Sequence, residues 1–205
     1  QVFLENGDSL TADAVIIATP ANIAARLLEP TAPKATELLD KIRYVSTATV
    51  SAVYRKEGFS HPLNGFGFVI PRKEKRDIMA CTWTSTKFPH RAPEDYVMLR
   101  CFIGGALREE LAHQSEADLE KMVKKELFEI MGIRQEPLFC RAYHNKKSNV
   151  QYQVGHADLI ESVERELTAF PGLFLSGSAY TGIGIPDCIL NGTRAAEKTI
   201  KYLLS

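Results

Sequence analysis

Residues 172–196 read GLFLSGSAYTGIGIPDCILNGTRAA, and the rest of the chain is best understood outward from them. Phe170, Leu173, Phe174 and Leu175 make a short apolar run, the length of a brief buried strand, and Ser176-Gly177-Ser178 ends it at a small-residue loop where the chain must turn. Gly182 and Gly184 flank Ile183, and Pro186 and Asp187 follow: a proline at a first helical position, then an acid in the first turn. A helix is therefore expected to begin here. Ile189, Ala196, Ile200 and Leu203 recur at helical spacing, so this helix is expected to bury that face and to aim its N-terminal N–H groups at whatever lies outside Gly182–Ile185. Such an end favours an electron-rich or anionic ligand. The glycines alone are equally explained by a plain strand–loop–helix unit in which they only let the backbone turn.

The chain has 205 residues, 45% hydrophobic, with 25 acidic against 25 basic side chains, enough for one large domain or two smaller ones. Zero formal net charge removes any global electrostatic case for nucleic acid. No apolar run approaches the roughly 18 residues of a spanning helix. Cys81, Cys101, Cys140 and Cys188 are far apart with no CxxC pair, which argues against a zinc site and suits a reducing compartment, with the thiols as small buried apolar groups.

From the start of the chain, Val2 and Leu4 lead into the Asn6-Gly7-Asp8 turn of a hairpin. Ala14–Ala18 is a continuous apolar strand of the parallel, buried type, ended by Thr19-Pro20 before a helix carrying Ile23, Leu27 and Leu28. A second helix is expected after Pro33, with Leu38, Leu39 and Ile42 inward. At Tyr44 the composition changes. YVSTATVSAVYR (44–55) is a long strand with one wettable face, and Asn64–Pro71, Ile78–Thr84 and Tyr96–Ile103 add three more, separated by charged or Pro-bearing turns in the manner of an antiparallel sheet. The basic run Arg72–Arg76 reads as a solvated turn. Ser115 and Asp118 form a capping box before a helix with Leu119, Met122, Val123, Leu127 and Ile130 inward, ending at Gly132. Pro137–His144 is the expected last strand, which leaves one face of the sheet free to wall a cavity.

Tyr180, Gly182, Gly184, Ile185, Pro186, Asp187, Cys188 and Ile189 together resemble the closing segment of flavin-dependent amine-oxidase-type enzymes, and among them the protoporphyrinogen and coproporphyrinogen oxidases. GDSLTADAVIIATP (7–20) resembles that family's ADxVIxAxP return to the flavin domain, NGFGFVIP (64–71) a segment lining its substrate cavity, and HNKKSNVQYQVGH (144–156) its PQYxxGH crossing, with Val150 where the family has proline. The resemblance covers the whole chain in the family's order. It implies an α+β / α/β fold: the late part of a Rossmann-like FAD-binding domain (1–43 and 150–205) enclosing an antiparallel-sheet-plus-helix substrate domain (44–149). It also implies FAD as cofactor, with Gly177, Ser178, Gly182, Ile183, Gly184 and Ile185 as flavin neighbours, mostly through backbone. Phe66, Gly67, Val69 and, more weakly, Phe102 would line the tetrapyrrole site, where an ordinary half-buried strand is the competing reading.

By the same resemblance the reaction is oxidation of a porphyrinogen to a porphyrin in haem synthesis, a meso carbon passing hydride to the flavin and O2 reoxidising it to give H2O2, three times per porphyrin. No acid or base residue is named. His144 and His156 read as capping or hydrogen-bonded structural residues, Trp83 as core, and Lys146 and Lys147 as solvated. The family's GxGxxG fingerprint does not occur in these residues, so the chain is expected to be part of a longer protein, to hold FAD weakly alone and to self-associate through an exposed sheet edge. A cytoplasmic location is expected, with peripheral membrane contact left open. Two rivals stay open: another amine-oxidase-type flavoenzyme, and a non-catalytic binding module.

Overall fold

The computed structural model describes residues 1–205, which divide into two compact units: 1–43 with 150–205, and 44–149. In the first unit, β1 (Val2–Phe3) and β2 (Ser9–Leu10) form an antiparallel hairpin around Gly7. β3 (Val15–Ile17) is followed by α1 (Ala21–Leu28) and α2 (Pro33–Leu39). Small side chains set the first helix's packing: its buried face is Ala21, Ala24, Ala25 and Leu28, and Leu27 is exposed. The Thr36 hydroxyl ties the second helix to the first by donating to the Ala25 carbonyl at 3.0 Å.

The second unit begins with β4 (Tyr44–Arg55), then β5 (Gly67–Val69), β6 (Ile78–Trp83), a single helical turn α3 (Thr84–Lys87), β7 (Tyr96–Gly104), α4 (Glu116–Met131) and β8 (Phe139–Val150). Its sheet runs β5-β6-β7-β4-β8, with β5/β6, β6/β7 and β7/β4 antiparallel. Because successive side chains on a strand point to opposite faces, one face collects Ala48, Val50, Ala52 and Tyr54 with Val97, Leu99, Cys101 and Ile103. Leu119, Val123 and Leu127 of α4 join them in one core. Ser115 caps α4 by accepting from the Asp118 N–H at 3.2 Å, and Gly132, at φ 69°, ends it. Ile130, expected inward, is exposed; Met131 and the buried Glu126 take its place. Glu126 explains a second departure: Arg76, expected in a solvated turn, pairs with it at 3.6 Å and also bonds Glu129. β8 is also longer than expected, continuing through Lys146 and Lys147 to Val150.

The chain then returns to the first unit with α5 (His156–Leu167), β9 (Leu173–Leu175) and α6 (Ile185–Leu203). β9 lies parallel to β3, Val15 opposite Leu173 and Ile17 opposite Leu175. Ile160, Val163 and Leu167 of α5 are buried as their spacing predicts. The last helix does not follow its spacing. Its buried residues are the small or polar Asn191 and Ala195, and Tyr202 meets Phe174 of β9 edge-on with ring centroids 6.3 Å apart, whereas Ile189, Ile200 and Leu203 are exposed, and β9 itself is half-buried. The apolar stripe exists but nothing in these residues covers it.

Candidate functional site

The loop between β9 and α6 is held from both sides. Tyr152 lies between β8 and α5, and its phenol accepts a hydrogen bond from the Gly182 N–H at 2.8 Å while donating to the Ser178 carbonyl at 2.7 Å. One hydroxyl thus fixes the two arms of the loop. His156 stacks on Tyr152 with ring centroids 3.8 Å apart and 14° between planes, and its Nε2 lies 3.2 Å from the Tyr180 carbonyl. A carbonyl only accepts, so Nε2 carries the proton there. From α6, Asn191 Oδ1 accepts from the Thr181 hydroxyl at 2.5 Å. His156 therefore acts as a brace, consistent with the structural role expected of it, and Tyr152 is a residue that sequence reasoning did not single out. The usable signal was its place in the QYxxGH string, one helical turn before His156.

The glycines of this loop have internal causes. Gly182 sits at φ +134°, and a Cβ there would lie 2.5 Å from that of Asp187; one on Gly184 would lie 2.9 Å from Asp187 Oδ2. Both positions make room for the carboxylate that accepts from the Gly184 N–H at 3.1 Å and caps the helix. Gly177, at φ +138°, meets nothing closer than 4.0 Å and is required by its backbone conformation. Ile183 and Ile185 are 64% and 78% exposed. The structure thus gathers Gly177, Ser178 and Gly182–Ile185 into one rigidly tied shelf of backbone and two isoleucines at the head of a 19-residue helix.

The other predicted residues belong to the second unit. Phe66 precedes β5, is 65% exposed, and accepts from the Trp83 N–H at 3.0 Å through its carbonyl. Gly67 has φ +137°, and a Cβ on it would fall 2.1 Å from the Cys81 carbonyl oxygen, so close strand pairing excludes a side chain. Registration places the remainder in two cross-strand rows on the sheet face opposite the core: Val69–Ala80–Phe102–Thr49, and Gly67–Thr82–Arg100–Ser51. Val69 is exposed and Phe102 half-buried. Neither row contains an acid. Trp83 is buried, as expected, with the His61 ring edge-on at 5.1 Å.

At the end of β4, Glu109 Oε1 accepts from the Ser46 N–H at 2.8 Å and pairs with Lys147 Nζ at 3.0 Å. The bonds from Ser46 and Lys147 hold its carboxyl down to about 2. Lys147 is exposed, as expected from the sequence, and pairs there with a carboxylate of its own fold. His144 Nδ1 lies 2.8 Å from the Ala112 carbonyl, a structural bond.

A family model for "Flavin containing amine oxidoreductase" matches residues 1–200. The chain belongs to the flavin containing amine oxidoreductase family. Within it, the coproporphyrinogen III oxidase of Bacillus subtilis (strain 168) is 36% identical over 203 residues, covering 98% of this chain and 43% of the relative. Protoporphyrinogen oxidase 2 of Arabidopsis thaliana is 29% identical over 198 residues, 94% of this chain and 39% of the relative. Among solved structures, a candidate protoporphyrinogen oxidase from Exiguobacterium sp. 255-15 superimposes with a TM-score of 0.82 at 33% identity, over 98% of this chain and 43% of that one. The chain thus spans less than half the length of each of these relatives. As in other members of this flavin family, a flavin is the implied cofactor. The Gly177–Ile185 segment fits such a group: Ile183 and Ile185 are exposed, Tyr152 ties the loop in place, and the neighbouring Asp187 carboxylate is engaged by the Gly184 N–H.

Proposed function

We propose that the full-length flavin amine oxidoreductase oxidises a porphyrinogen, coproporphyrinogen III or protoporphyrinogen IX, to the porphyrin, using FAD and O2 and releasing H2O2, in haem biosynthesis. The observation that carries this reading is the 36% identity to a coproporphyrinogen III oxidase along 98% of the chain. When bound, the flavin supplies the hydride acceptor. Gly177, Ser178, Gly182, Ile183, Gly184 and Ile185 are its proposed neighbours, with the positive end of α6 favouring negative charge beside them. Tyr152 and His156 keep that shelf in place. Phe66, Gly67, Val69 and Phe102 are the proposed wall for the macrocycle, whose apolar pyrrole faces suit aromatic and aliphatic side chains. Since aromatisation drives the reaction, the protein's task is chiefly to orient the ring and exclude competing reactions.

Anaerobic mixing tests this. The full-length protein, purified with its flavin, is expected to lose the oxidised-flavin absorbance when coproporphyrinogen or protoporphyrinogen is added, and to regain it on admitting air. A flavin spectrum that neither porphyrinogen changes would overturn the proposal.

A further inference from the structure

β7 is the central strand of the five-stranded sheet, and Arg100 stands at its middle on the face opposite the core. Its neighbours across the strands are Thr82 on one side and Ser51 on the other; Met98 and Phe102 precede and follow it on the same face. Arg100 is half-buried, yet its one hydrogen bond is a long contact, 3.3 Å from Nε to the Ser51 hydroxyl, and no carboxylate comes within ion-pairing distance. The other half-buried cations of this unit, Arg76, Arg108 and Lys124, each face at least one acid within 4.0 Å. A guanidinium carries five donors in a planar fork, and here most of them are left for an outside partner. A half-buried cation with no counter-charge, among hydroxyls and apolar side chains, is complementary to a carboxylate attached to an apolar body.

We propose that Arg100 is the carboxylate receptor of this sheet face, binding an acidic side arm of the substrate while Phe102 and Val69 contact the ring. The assignment rests on the porphyrinogen reading and deepens it: porphyrinogens carry carboxylate arms on a broad apolar ring of pyrroles, the two chemistries these cross-strand rows display. Arg100 holds and orients the substrate and takes no part in electron transfer.

The test uses the full-length flavin-loaded protein and equilibrium titration, following quenching of protein fluorescence by coproporphyrin, which has four carboxylates, and by its tetramethyl ester. Arg100→Gln is expected to weaken coproporphyrin binding about tenfold to a hundredfold and to leave the ester unchanged. Arg100→Lys is expected to recover most of the loss, and neither variant should lower the melting temperature. Undiminished coproporphyrin binding by Arg100→Gln, or an equal loss for acid and ester, overturns the assignment while leaving the porphyrinogen reading intact. If the unmodified protein binds neither porphyrin and oxidises no porphyrinogen, the underlying reading falls first and this one with it.

Discussion

Replacing Tyr152 by phenylalanine removes one hydroxyl and, with it, two hydrogen bonds, from the Gly182 N–H and to the Ser178 carbonyl, at 2.8 and 2.7 Å. The ring itself stays, and so does its stacking on His156. A net hydrogen bond is worth about 0.5–1.5 kcal/mol, so the pair contributes about 2 kcal/mol to the closed loop. At 1.4 kcal/mol per factor of ten, that loss corresponds to roughly 30-fold more frequent opening. Hydrogen exchange resolved to residues 176–184 reads this directly: the Gly182 amide should exchange roughly 30-fold faster in Tyr152→Phe, with the amides of β4 and β7 unchanged. Flavin affinity of the full-length variant should fall in step, because an opened shelf no longer presents its backbone. Unaltered exchange at Gly182 would refute the claim that this hydroxyl holds the loop.

Gly67→Ala should detach β5 from β6, because its Cβ would sit 2.1 Å from the Cys81 carbonyl; urea unfolding followed by Trp83 fluorescence is expected to show about 2–3 kcal/mol lost. Glu109 has its folded pKa lowered from 4.5 to about 2, so it stabilises the fold above the ordinary value, and that contribution disappears as pH falls through this window. Glu109→Gln should therefore flatten the acid limb of stability between about pH 4.5 and 2, measured by thermal unfolding at stepped pH. The exposed stripe of Ile189, Ile200 and Leu203 should drive self-association of the 205-residue chain, and Ile200→Lys should shift its sedimentation toward the monomer.

Local signals carried much of the fold. The strand Tyr44–Arg55, the Ser115 cap, the Gly132 stop and the buried face of α5 are all written in residues adjacent in sequence, where capping chemistry and apolar period speak without tertiary context. What sequence could not supply was partnership. The spacing of Ile189, Ile200 and Leu203 reveals an apolar stripe but not what covers it, and the helix instead buries Asn191 and Ala195 and sets Tyr202 against Phe174 of β9, a mixed face that apolar spacing does not reveal. Arg76 looks like one more charge in a basic turn until Glu126 and Glu129, far along the chain, meet it. The candidate site divides the same way. The glycines and Pro-Asp of residues 182–187 were legible, but their cause, the Asp187 carboxylate filling the space above both glycines, needed coordinates. Tyr152 was marked by the QYxxGH string but took its role only from a hydrogen bond across 30 residues, and Arg100 became visible only once the cross-strand register was known.

The most direct test of the central claim is a fluorescence assay in air. The full-length flavin-loaded protein, mixed with coproporphyrinogen III and separately with protoporphyrinogen IX, is expected to generate the red emission of the porphyrin well above the autoxidation rate, with H2O2 released and O2 consumed. Porphyrin formation no faster than in protein-free buffer, for both substrates and with flavin demonstrably bound, would contradict it.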